Sequence, residues 1–275
     1  MPTTEQLTVE HYARAELERT ILAGLHALGV DAAPKPEDLA AVDEFHMGGR
    51  AATLELAATL SLTPETRVLD IGAGIGGTAR HLAAAYGCRV TGVDLTPDYV
   101  GTARRLTRLL GLDDRVAFEV ASAVDLPFAD GSFEVATLLH VGMNIADKRR
   151  LATEAHRVLA PGGLFAVYDV MRTGPGEVAY PQPWATTPAT SFLATPEDYR
   201  AALAAAGFGV EGERRRTDLA LATFRAMRER LATAGPPPLG LHLLMGESAP
   251  AKLANIMAGL ESGTFAPIEL LARRH

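Results

Sequence analysis

Residues 67–77, RVLDIGAGIGG, constrain this chain more than any other stretch. Val68, Leu69 and Ile71 are β-formers flanked by polar residues, so they read as a short buried strand. From Thr78 onward, Ala79, Leu82, Ala83 and Tyr86 fall at helical spacing, which makes Gly72 to Gly77 the turn between strand and helix. Glycines let the backbone bend sharply there and let a ligand lie against bare amides at a helix N-terminus. Gly72, Gly74 and Gly77 also satisfy the loose G-x-G-x-x-G pattern, which nucleotide and non-nucleotide cofactors share.

Two acids narrow the guest. Asp70 stands where a pyrophosphate-binding loop would face two phosphates and repel a carboxylate; a cofactor with positive charge and no phosphate would prefer it. S-adenosylmethionine, with a sulfonium and an ammonium, fits that description. The alternative is that Asp70 only caps the following loop. Residues 89–94, RVTGVD, form a second apolar strand ending in Asp94, about twenty residues past the glycine loop, where an acid takes both ribose hydroxyls of either cofactor class.

On these motifs the chain resembles the class I S-adenosylmethionine-dependent methyltransferases. VLDIGAGIGG looks like their first motif and VTGVDLT like the second. LPFADGSFEVATLLH and HRVLAPGGLFAVYD look like the later core motifs, and the resemblance covers roughly residues 40–275. It implies an α/β fold: a doubly wound, Rossmann-like, seven-stranded, mostly parallel sheet with an antiparallel last strand. It also implies that Gly72, Ala73 and Gly74 cradle the cofactor, that Leu95 walls the adenine, and that Ala123 and Leu139 contact the cofactor as well. Where the family pattern usually has Gly-Asp-Ala, this chain has Ala121, Ser122 and Ala123. The Ser122 hydroxyl is then a weaker acceptor for the adenine amine, unless another group substitutes.

The rest of the chain alternates strands and helices. Strand 115–120, strand 133–139 ending at His140, helix 147–159, strand 164–170, helix 196–206 and strand 207–214 precede a closing strand at 264–273. Such alternation implies a parallel sheet with the ligand at the strand carboxyl ends, where Asp70, Asp94, Ser122 and His140 all fall. Residues 1–62 read as a helical cover containing one amphipathic helix over 8–28, and residues 63–275 as the Rossmann-like domain. Within the cover, Phe45, His46, Gly48 and Gly49 are placed to reach the methionine end of the cofactor, and His46 is expected to touch substrate. The proline-threaded segment 171–195 is a cap loop, expected to wall the acceptor with Tyr180 and Trp184. Residues 217–262 form a helical lid insertion.

An imidazole titrates near neutrality, so His140 is the candidate general base, with His46 a second candidate. No metal site is expected. No adjacent acid and amide follow a core strand, and Asp169 stands alone, expected near the acceptor or tying down the 171–195 loop. A net charge of −7 argues against nucleic acid as substrate. The single Cys88 excludes an internal disulfide and suits a cytoplasmic setting. No apolar stretch reads as a membrane helix. The expected activity is methyl transfer to an oxygen or nitrogen of a small-molecule acceptor, by a monomer or homodimer. The rival readings are a nicotinamide-dependent oxidoreductase and a non-transferring S-adenosylmethionine-binding protein.

Overall fold

The computed structural model describes residues 2–14, 16–30 and 34–275. Ahead of the first strand lie helices α1 (Thr4–Tyr12), α2 (Leu17–Ala27), α3 (Pro36–Asp43) and α4 (Gly49–Ala57). The single helix expected over 8–28 is therefore two. Ala13 turns to an extended ψ of 130°, and the Arg14 guanidinium takes the carbonyls of His11 and Ala13 while its amide donates to Asp98. These contacts give the chain end of α1 partners outside a helix, so the apolar spacing that crosses the break belongs to two helices. Residue 15, within that break, lies outside the described residues.

The core follows in alternation: β1 (Arg67–Ile71), α5 (Gly77–Tyr86), β2 (Arg89–Asp94), α6 (Pro97–Leu109), β3 (Val116–Val120) and β4 (Phe133–Leu139). Then come α7 (Lys148–Val158), β5 (Leu159–Arg172), α8 (Pro196–Ala206) and β6 (Phe208–Arg215). The insertion α9 (Thr217–Ala234), α10 (His242–Met245) and α11 (Ala249–Glu261) leads into β7 (Phe265–Arg274). The described residues form one seven-stranded sheet in the order β3-β2-β1-β4-β5-β7-β6. Neighbours from β3 to β5 are parallel, and β7 runs antiparallel between β5 and β6. This is the expected doubly wound α/β sheet with an antiparallel last strand. β5 begins five residues earlier than expected, because the register slips around Pro161, Gly162 and Gly163 while pairing with β4 continues.

Both sheet faces are covered, as parallel strands require. One face packs Leu69, Leu138 and Phe165 against Leu151 and Ala155 of α7 and Leu203 of α8. The other packs Val68, Val90 and Ala166 against Leu56 of α4, Leu82 of α5 and Val100 of α6. A third cluster seats α2 and α3 on α6 through Ile21, Leu39 and Leu106, and brings in Leu239 and Leu244 of the insertion. In a fourth, Trp184 of the 171–195 loop packs with Phe224, Ile256 and Phe265. The cover and the insertion thus close over the carboxyl ends of β1 and β4. No described helix is long and apolar enough to cross a membrane.

Candidate active site

Between β1 and α5 the backbone makes a turn that only glycine fits. Gly72 has φ +73°, and a Cβ there would come within 2.2 Å of Val141. Gly74 has φ +56° with nothing nearer than Tyr99 at 4.0 Å, so its peptide borders open space. That space is a cavity of about 360 Å³. It is lined by Asp70, Gly72, Ala73, Gly74, Asp94, Leu95, Ser122, Ala123, Leu139 and His140, together with His46 and Trp184.

The two acids behave differently. Asp94 secures the loop, its carboxylate accepting from the Gly74 amide at 2.9 Å and the Thr96 amide at 2.8 Å. Burial pushes its carboxyl up, and those backbone bonds oppose the shift. Asp70 is buried with one oxygen accepting from the Thr137 hydroxyl at 2.7 Å. Its other oxygen, Oδ2, has no partner. Burial raises this carboxyl to about 6 against the Thr137 bond and the charge of His46. An unpaired buried acid is costly unless a cation answers it. Among the described residues no lysine or arginine lines the cavity, whereas Glu5, Asp43, Asp70, Asp94 and Asp147 do. The donor set therefore fits S-adenosylmethionine, whose ammonium would meet Asp70 and whose ribose would meet Asp94, and it disfavours a diphosphate.

His140 sits at the end of β4 with φ +54°, a left-handed conformation uncommon for a side-chain-bearing residue. Its Nδ1 lies 3.2 Å from the Tyr168 carbonyl, and the Met47 amide points at its Nε2 at 3.3 Å. A carbonyl only accepts and an amide N–H only donates, so Nδ1 carries the proton and the Nε2 lone pair is engaged. Burial holds this imidazole neutral, well below its usual range, and nearby His46 adds to the effect.

His46 belongs to a different arrangement. Its Nε2 lies 3.0 Å from Glu44 Oε2, which also accepts from the Thr53 hydroxyl at 2.6 Å. Nδ1 lies 3.4 Å from the Met47 carbonyl. Burial alone would raise the Glu44 carboxyl, yet the bonds from His46 and Thr53 and the charge of Arg50 hold it at about 2. His46 and His140 face each other with ring centroids 5.8 Å apart.

Three sequence expectations need correcting. Tyr180 does not line the cavity; it is half-buried and packs into the cluster around Trp184 and Phe265. Asp169 neither faces the cavity nor ties the 171–195 loop. It is fully buried, with Tyr199 of α8 and the Val170 amide as partners. The Ser122 hydroxyl is not free, since it donates to Glu5 at 2.6 Å and accepts from the Val124 amide at 3.2 Å.

Sequence reasoning missed the fastening of this site. Asn144 follows His140 on a short 3₁₀ turn. Its amide nitrogen donates to the carbonyls of Trp184 and Thr190, and its oxygen accepts from the Tyr12 hydroxyl of α1 at 3.0 Å. His11 adds bonds to the Pro183 carbonyl at 2.9 Å and the Thr186 hydroxyl at 3.0 Å. One signal was available in sequence: Asn144 interrupts the otherwise apolar run at 141–146.

Residues 69–167 match the methyltransferase domain family. Over 137 residues the chain is 34% identical to methyltransferase GfsG of Streptomyces halstedii, covering 50% of this chain and 49% of that protein. The chain spans about half or less of the length of the first curated relatives it matches. In three dimensions it is similar to geranyl diphosphate C-methyltransferase of Streptomyces coelicolor A3(2), with TM-score 0.73 and 18% identity over 100% of this chain and 99% of the other. It is also similar to the [4+2]-cyclase SpnF, with TM-score 0.70 and 23% identity over 99% and 97%. At such identities these likenesses bear on the fold alone.

Proposed function

We propose that this chain, whose residues 69–167 match the methyltransferase domain family, is a class I S-adenosylmethionine-dependent methyltransferase that moves a methyl group from S-adenosylmethionine to an oxygen or nitrogen of a small metabolite or natural product. The observation that carries this reading is the charge of the cavity, which has several carboxyl groups, one of them unpaired and buried, and no described lysine or arginine. Such a cavity accepts a cation and repels a diphosphate, which disfavours the nicotinamide reading. When bound, S-adenosylmethionine supplies a methyl group activated on a sulfonium.

The residues of the chain do the rest. Asp70 takes the ammonium, Asp94 the ribose, and the peptide at Gly74 lets both lie close. The acceptor chamber is walled by Phe45, Met143, Trp184, Phe224 and Ile256, which suits a largely apolar, phosphate-free acceptor. Holding the reactants in line supplies about 7–11 kcal/mol of the barrier lowering, and the enclosing cover and insertion exclude water. We assign the base to His46 rather than His140. Glu44 orients His46 and balances the charge it gains. His140, its lone pair engaged by the Met47 amide, positions the chain at 46–47 and the acceptor wall.

The test is incubation of pure protein with methyl-labelled S-adenosylmethionine and fractionated metabolites. The expected result is label in an apolar fraction together with formation of S-adenosylhomocysteine. No product in any fraction, with the cofactor nonetheless bound, would favour the non-transferring reading.

A further inference from the structure

The strand order lays the site out in sequence along the sheet: Asp70 at the end of β1, Asp94 at the end of β2, and the 121–124 turn beyond the end of β3. A ligand whose ammonium meets Asp70 and whose sugar meets Asp94 must send its base past β3, between Leu95 and the Ala123–Val124 wall. The polar group at that end of the cavity is contributed by another element. Glu5 of α1 lines the cavity and accepts from the Ser122 hydroxyl at 2.6 Å. Ser122, spending its proton on Glu5 and taking the Val124 amide, is left with little to offer a ligand.

The start of α1 is held in place. Thr3 accepts from the Gln6 amide at 3.2 Å while the Gln6 side chain accepts from the Thr3 amide at 2.7 Å, a reciprocal cap. The far end is tied down through Tyr12 and His11 to Asn144, Pro183 and Thr186. We infer that Glu5, oriented by Ser122, is the carboxylate that accepts the exocyclic amine of the cofactor's adenine, so that the N-terminal helix selects a 6-amino over a 6-oxo purine. This assignment rests on the S-adenosylmethionine reading. A carboxylate accepts strongly from an amine and repels a carbonyl oxygen in the same place. α1 then joins both halves of the site, its first turn reading the base and its last turn holding the loop that walls the acceptor.

Calorimetric titration with S-adenosylhomocysteine and with its 6-oxo analogue S-inosylhomocysteine tests this. The parent should bind the amino form at least about tenfold more tightly, the scale of one charge-assisted hydrogen bond. Glu5→Ala should lose about tenfold toward S-adenosylhomocysteine and nothing toward the analogue. Glu5→Gln, whose amide can donate, should bring the two ligands within about threefold. Glu5 is exposed, so unliganded melting should move by less than about 2 °C in either variant. Equal losses for both ligands, or no loss for either, would overturn the assignment to Glu5 while leaving the cofactor reading intact. A parent protein that binds neither ligand would overturn the cofactor reading itself.

Discussion

At the scale of single residues the proposed cofactor choice rests on Asp70, whose burial gives it a pH signature. Its carboxyl is raised from 3.8 to about 6 by burial. In the free protein the folded state therefore binds more protons than the unfolded chain between those values, and this group makes folding less favourable as pH rises through them. A bound ammonium favours the ionised form, so below about pH 6 binding must first expel a proton. Affinity for S-adenosylhomocysteine should be flat from pH 7 to 8 and fall by up to about tenfold per unit below 6. Asp70→Asn should bind more weakly and lose this dependence, which calorimetry at pH 5, 6 and 7 would read. The two histidines give a second prediction. Once an accepting fraction is found, Glu44→Gln and His46→Gln should slow single-turnover transfer by about 10²–10⁴-fold and alter its pH profile. His140→Gln should cost less than about tenfold in rate. The reverse order would return the base to His140. Asp70, Asp94 and His140 were legible in sequence because each closes an apolar strand run. Glu44 was not, because its meaning comes from the turn that brings His46 and Thr53 onto one carboxylate.

The cover meets the core, between elements, through a buried ion pair. Asp43 at the end of α3 bonds Arg80 of α5 at 2.6 Å with both side chains almost wholly enclosed. The same guanidinium donates to the Ile75 carbonyl inside the glycine turn at 2.7 Å. Asp43→Ala leaves a buried guanidinium without its anion, so urea denaturation should show a loss of about 3–5 kcal/mol. The glycine turn would loosen with it. Asn144 plays the matching part on the other side, with its amide fully used by α1 and the 171–195 loop. Asn144→Ala should cost about 1–3 kcal/mol in the same assay, since it strands buried carbonyls. Helix and strand positions were readable from period and turn residues, and the antiparallel course of β7 from the resemblance to the methyltransferases. The split between α1 and α2 was not, because Arg14 and Asp98 are brought together by the fold and leave no local mark in the sequence.

For the whole molecule, the sheet order places Asp70 and Asp94 at neighbouring strand ends with Ser122 past the next, and the cover, the 171–195 loop and the insertion wall the cavity above them. The doubly wound architecture followed from the alternation of elements. The closing of the cavity depended on contacts between residues more than a hundred positions apart, such as Tyr12 with Asn144 and Ser122 with Glu5. Similar sheets support different chemistry, so the charge of the cavity has to decide between cofactors. The most direct measurement is calorimetric titration of the protein with S-adenosylmethionine and, separately, with NADH at pH 7.5. The account predicts a saturable one-site isotherm for S-adenosylmethionine and no binding of NADH. Tight binding of NADH with none of S-adenosylmethionine would contradict it.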